Sequence, residues 1–176
     1  MQRILELDRQ LSALFLNFET VAAELEMPLV CLLSDEQTIA QHIYAGLYRI
    51  DVSTAGGPTE VSVWVDALRG EWEHEDFKKS FTPNLKKKRI AQHHTLLEWM
   101  PLYLGKSKKV GARVLEHINL GMAKTTFALK LKARPGMAAR SFRLHTLKLP
   151  VKNYDVIAPA LETALRNRFH PLIGKQ

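Results

Sequence analysis

The apolar residues of the first 26 positions constrain the fold most. Ile4, Leu7, Leu11, Leu14, Phe18, Val21 and Leu25 recur at alternating steps of three and four with charged residues between them, and only an α-helix brings that spacing onto one face. Leu5, Phe15 and Ala22 widen the stripe beyond a strict coiled-coil seam. The helix is therefore expected to dock on the protein's own core, with a self-associating homodimer as the alternative. Pro28 closes the segment, and residues 1–42 form an N-terminal helical extension in which Ser34 and Gln37 resemble a capping box opening a short helix to about His42.

Beyond this extension the periods are shorter. Strands are expected over Tyr44–Val52, over Val61–Ala67 where valines alternate with Ser62, Trp64 and Asp66, over Thr95–Tyr103 and over Phe142–Leu149. Helical spacing returns at Gly111–Leu120, around Lys124–Lys132 and at Tyr154–Arg168, while Lys106–Lys109 reads as a polar turn and residues 69–95 as a surface excursion. The expected class is α+β, a small antiparallel sheet flanked by helices, and 176 residues suit one domain. No apolar run is long enough to cross a membrane and the first residues lack a signal-peptide pattern, so a cytoplasmic protein is expected. The sole cysteine, Cys31, excludes an internal disulfide or a cysteine-built zinc cluster and fits as core filler.

Charge is distributed unevenly. Residues 1–77 carry 4 Lys/Arg against 14 Asp/Glu, whereas residues 78–176 carry 21 against 4, a local excess of 17 positive charges. Such a segment favours a polyanion, because each neutralised phosphate releases condensed counterions. Lys86, Lys87, Lys88, Arg89, Lys108 and Lys109 are the candidate backbone-gripping residues for DNA.

Three separated motifs lie within this frame. Gly46-Leu47-Tyr48 falls inside the first expected strand of the core. Tyr103-Leu104-Gly105-Lys106-Ser107 follows, with Arg113 eight residues after Gly105 and His117 one helical turn further on. Glu162 sits on the last helix, with Pro171 nine residues beyond. Gly105-Lys106-Ser107 alone is no phosphate-binding loop, since Met100 stands where the upstream glycine would be required and Pro101 follows it.

Taken together, these pieces resemble the GIY-YIG nuclease family over roughly residues 43–174, with an insertion at about 53–98 between the two tyrosine motifs. The resemblance implies a metal-dependent endonuclease that hydrolyses DNA phosphodiester bonds, with Tyr48, Tyr103, Lys106, Arg113, His117 and Glu162 as catalytic residues and Glu162 holding Mg²⁺ or Mn²⁺. Elementary chemistry selects the same side chains. A guanidinium such as Arg113 can clamp two phosphate oxygens, a hard cation needs few protein oxygens, and a phenol acts as a base only if its pKa is lowered, by Lys106, the metal or both. Glu162 could instead pair with Arg166 one turn away. The family's asparagine, twelve residues after its glutamate, is replaced by Gly174. That departure keeps an alternative open, a catalytically inactive nucleic-acid-binding module of the same fold.

Overall fold

The structure is a computed structural model and describes residues 1–77 and 81–174. In chain order it comprises α1 (Gln2–Glu24), β1 (Leu29–Leu32), α2 (Glu36–Ala40), β2 (Gly46–Ser53), α3 (Val61–Trp72), β3 (Asn84–Leu85), α4 (Lys87–Ile90), β4 (Trp99–Ser107), α5 (Val110–Asn119), α6 (Pro135–Ala138), β5 (Phe142–Lys148), α7 (Tyr154–Phe169) and β6 (Ile173–Gly174). The α+β class with a small antiparallel sheet flanked by helices is observed. The main sheet has the order β1-β5-β2-β4, and β3 pairs with β6 in a second, two-stranded sheet.

The side-chain alternation of β2 divides the core. Tyr48, Ile50 and Val52 face a large cluster that includes Trp64, Leu68 and Trp72 of α3 and Val114 and Ile118 of α5. Leu47 faces the other way, against Leu104 of β4 and Ala158, Leu161 and Leu165 of α7. The sheet is thus covered on both faces, and its central strand is buried from Gly46 through Val52.

Several expected elements differ from those observed. Residues 61–72 are helical rather than extended: Val61, Trp64, Val65, Leu68 and Trp72 line one helical face, and Val63, which an alternating strand would have buried, is exposed. Residues 69–95 are not simply a surface excursion, because Trp72 and Pro83 are buried and Leu85 and Ile90 pack against the core; Lys78 and Lys79 of this segment lie outside the described residues. The segment around Lys124–Lys132 is not an α-helix. Its backbone turns left-handed at Lys130, whose ammonium donates to the carbonyls of Met122 and Lys124, and only a 3-10 turn forms over Leu131–Ala133. The short helix after β1 is capped by Asp35, whose carboxylate accepts from the Thr38 amide at 3.0 Å, and not by Ser34. The expected turn at Lys106 is displaced, because β4 continues through Ser107. Cys31 is half-buried in β1 against the main core.

The N-terminal helix forms as expected but docks only at its C-terminal end. Ala22 is its one buried residue among those described, with Phe18 and Leu25 partly buried beside α7. No helix among the described residues is long and apolar enough to cross a membrane.

Candidate active site

Tyr48 and Tyr103 are brought together by strand register. Tyr48 of β2 pairs with Gly105 of β4, which places Tyr103, two residues earlier, diagonally beside it on the same face. The ring centroids lie 6.1 Å apart. Gly105 makes this possible by lacking a side chain: a Cβ there would meet the Tyr48 hydroxyl at 2.7 Å and a Tyr103 ring carbon at 2.8 Å. Gly105→Ala is accordingly expected to displace both rings and cost about 1–3 kcal/mol as an overpacked core site. Chemical denaturation would measure it, and an unchanged midpoint would refute the packing argument.

Helix α5 supplies the third component. His117 is fully buried, and its Nε2 lies 2.8 Å from the Tyr48 hydroxyl. Its other nitrogen, Nδ1, accepts the Leu129 amide hydrogen at 2.9 Å, which assigns the imidazole hydrogen to Nε2. His117 therefore donates to Tyr48, and the phenolic proton is directed elsewhere. Burial, with the nearby Arg113 charge adding to it, holds His117 well below its ordinary pKa, so the ring is neutral.

Both phenols are shifted upward. Burial pushes Tyr48 well above its usual value, Tyr103 adds to the rise and Arg113 opposes it. Tyr103, half-buried, is raised mainly by burial, again against the Arg113 charge. The expectation that Lys106 would lower a tyrosine pKa is not met. Three residues from Tyr103 on a strand, Lys106 points to the opposite face and holds Glu162 of α7, with Nζ 2.8 Å from Oε2.

Glu162 is buried among cations. Besides Lys106, the Arg166 guanidinium approaches Oε1 at 3.7 Å, as the one-turn spacing on α7 allows. Arg89 of α4 is the residue whose role changes most. Lys87 and Lys88 stand exposed, but Arg89 is half-buried, and burial together with the Arg166 charge lowers its pKa while Glu162 raises it. α4 reaches this position because the Lys86 amide donates to the Leu172 carbonyl at 2.8 Å and the His93 ring donates to the His170 carbonyl at 2.8 Å. Of the expected DNA-gripping residues, Arg89 thus belongs to the site; Lys86 is half-buried at its edge, and Lys108 forms an exposed ion pair with Asp155 at 2.9 Å. Lys109 precedes α5 and is exposed.

Arg113 is half-buried and donates to the Glu116 carboxylate and to the Phe127 carbonyl. Three of the four acidic residues in the basic half, Glu116, Asp155 and Glu162, are therefore paired with cations of this region. Gly174, in the place of the family's asparagine, pairs across β6 and β3 with Asn84. Arg166 was not among the candidates from sequence, although its one-turn spacing from Glu162 signalled their pairing; Arg89 was expected only to grip the DNA backbone, not to lie near Glu162. Among the described residues no group of three or more His, Cys, Asp and Glu side chains converges as a metal cage.

A comparison with known family models, characterised proteins and solved structures yields no match to this chain.

Proposed function

We propose that this protein is a GIY-YIG-type endonuclease that hydrolyses DNA phosphodiester bonds. The observation that supports the reading is convergence. Side chains from β2, β4 and α5, namely Tyr48, Tyr103, Arg113 and His117, meet at one place, and the charge of Glu162 on α7 is felt by both phenols. Nothing in ordinary core packing requires two phenols, a histidine and a guanidinium from three elements to gather at one place, and Glu162, held by Lys106 across β4, acts on them through its charge.

The chemistry follows from the surroundings. Arg89, Lys106, Arg113 and Arg166 carry four positive charges against the carboxylates of Glu162 and Glu116, so the unliganded site favours an anion. A phosphate would compete with Glu116 and the Phe127 carbonyl for Arg113, which then clamps two oxygens as negative charge grows on them. Tyr48, as phenolate stabilised by the Nε2–H of His117, takes the proton of the attacking water; as the water oxygen bonds to phosphorus the ester P–O bond on the far side breaks, and the departing oxygen takes its proton from water. In this reading Glu162, released from Lys106 and Arg166, would be the one protein ligand of a hard divalent cation, which needs few protein oxygens. Bound there, Mg²⁺ or Mn²⁺ would neutralise phosphate charge and acidify water. The expected partner is DNA, held by Arg89, Lys87 and Lys88 through its backbone.

Supercoiled plasmid tests the proposal. Cleavage with Mg²⁺ or Mn²⁺ is expected, lost in EDTA and reduced at least about 100-fold in Glu162→Gln. DNA binding by that variant should persist or tighten, because a negative charge beside the phosphate is removed. Undiminished cutting by Glu162→Gln would disprove the metal position. Salt-sensitive binding without cutting under either metal would instead favour an inactive nucleic-acid-binding module, a reading to which the engagement of Arg113 by Glu116 and Phe127 lends weight.

A further inference from the structure

The N-terminal helix carries an apolar seam that the rest of the chain does not cover. Ile4, Leu7, Leu11, Leu14 and Val21 follow the a/d spacing of heptads, yet each is between 44% and 64% exposed. The helix docks only at its C-terminal end, where Ala22 is buried, the seam's own Phe18 and Leu25 pack beside α7, and Phe15 and Glu19 line a groove with Val156 and Pro159, which leaves the first half of the seam uncovered. On a wheel of 100° per residue, Phe15 and Ala22 lie about 50–70° from the centre of the seam. A helix of 23 residues, about 35 Å long, is only marginally stable without a partner for its apolar face.

We propose that this seam packs in parallel against the same seam of a second copy of the chain. The pattern of charge supports a second copy. With Ile4 at a and Leu7 at d, Arg3 occupies g and Asp8 the following e, so a parallel pair brings Arg3 of each chain to Asp8 of the other. Gln10, Phe15, Asn17 and Ala22 fill the next g and e positions, and no like charges meet across the seam. In the first heptad Ile4 at a and Leu7 at d form the combination that favours two strands.

A parallel arrangement also sets free half against free half. An antiparallel one would press the exposed first half onto a second half whose Phe18, Ala22 and Leu25 are already packed on α7. A lipid surface or nucleic acid is disfavoured by charge, since α1 holds Arg3 and Arg9 against Glu6, Asp8, Glu19 and Glu24, a net of −2. This inference does not rest on the nuclease reading.

Sedimentation of the full chain at about 100 μM, where mass action favours association, is expected to give close to twice the 20.0 kDa chain mass. Leu7→Glu combined with Leu11→Glu should return it to the single-chain mass with the cooperative unfolding of the main body retained, because both positions face solvent within one chain and only α1 loses its partner. Leu7→Cys in a Cys31→Ser background should cross-link on oxidation, since d positions face each other only in a parallel pair. A parent that sediments as one chain, a double variant that keeps the parent's mass, or a dimer that fails to cross-link at position 7 would each overturn the proposal. So would a monomeric chain that floats with anionic vesicles.

Discussion

Tyr48→Phe is expected to reduce plasmid cleavage by about 10²–10⁴-fold, the range that a positioned proton acceptor contributes. The substitution removes one oxygen from a fully buried ring and leaves its packing against Tyr103 and His117 in place. It also orphans the His117 Nε2–H, which costs about 1–3 kcal/mol of stability. The variant must therefore be assayed below its own unfolding transition, where a circular dichroism melt shows it folded. Cleavage within about threefold of the parent would remove Tyr48 from the mechanism, whatever the melt shows.

The pH dependence separates Tyr48 from His117. Because burial raises the Tyr48 hydroxyl well above its usual value, its reactive phenolate is scarce at neutral pH, and kcat/KM should climb about tenfold per unit between pH 7 and 9. A bound divalent cation would move that climb to lower pH. His117 is held well below its ordinary value and donates through Nε2, so no inflection near the usual histidine range belongs to it. A rate that falls on protonation of a group near pH 6.5 would point to another base.

The elements that sequence revealed are those with a single possible period. α5 and α7 bury one helical face, and β2 and β5 lie within segments whose alternation had no rival interpretation. Residues 61–72 satisfied two periods at once, since Val61 and Val65 fit both an alternating strand and a helix; Leu68 and Trp72, lying beyond the strand-like segment, decide for the helix. Lys130 could not be foreseen as buried, because its solvation is supplied by two backbone carbonyls that come together only when the segment folds back. In the site, Tyr48, Tyr103, Arg113, His117 and Glu162 were legible through their order along the chain. Arg89 was legible only as charge: within Lys86-Lys87-Lys88-Arg89 no local signal distinguishes the one side chain that turns inward. Arg49, Asp51, Arg143 and His145 have the spacing of a solvated sheet face, but α7 covers part of that face, and Asp51 is almost wholly buried.

That buried network gives the second large effect. Asp51 accepts two hydrogen bonds from Arg49, at 2.8 and 3.1 Å, and one from Arg143 at 3.0 Å, with His145 Nε2 3.1 Å away. Arg49 also stacks on Phe169 of α7, 4.3 Å from the ring centre, and His145 donates to the Met27 carbonyl at 2.8 Å. One carboxylate thus ties β2 to β5 and, through its partners, to α7 and the end of the N-terminal segment. Asp51→Ala leaves two guanidinium groups without their anion and is expected to cost about 3–5 kcal/mol, measured by urea unfolding at pH 7. Burial alone would raise the Asp51 pKa, but the His145 contact and the Arg49 charge outweigh it and hold the carboxyl below its usual value. A carboxyl lowered in the folded state stabilises at pH values above its unfolded pKa, and this stability is lost as pH falls through the folded value. The gap between parent and Asp51→Asn should then be constant above about pH 5 and shrink below about pH 4. A loss under about 1 kcal/mol for Asp51→Ala would mean that the two arginines find solvent instead. Asp51 lies on the face of β2 opposite Tyr48, so the weakened chain should retain the parent's cleavage rate per folded molecule, and lost stability can be told apart from lost chemistry.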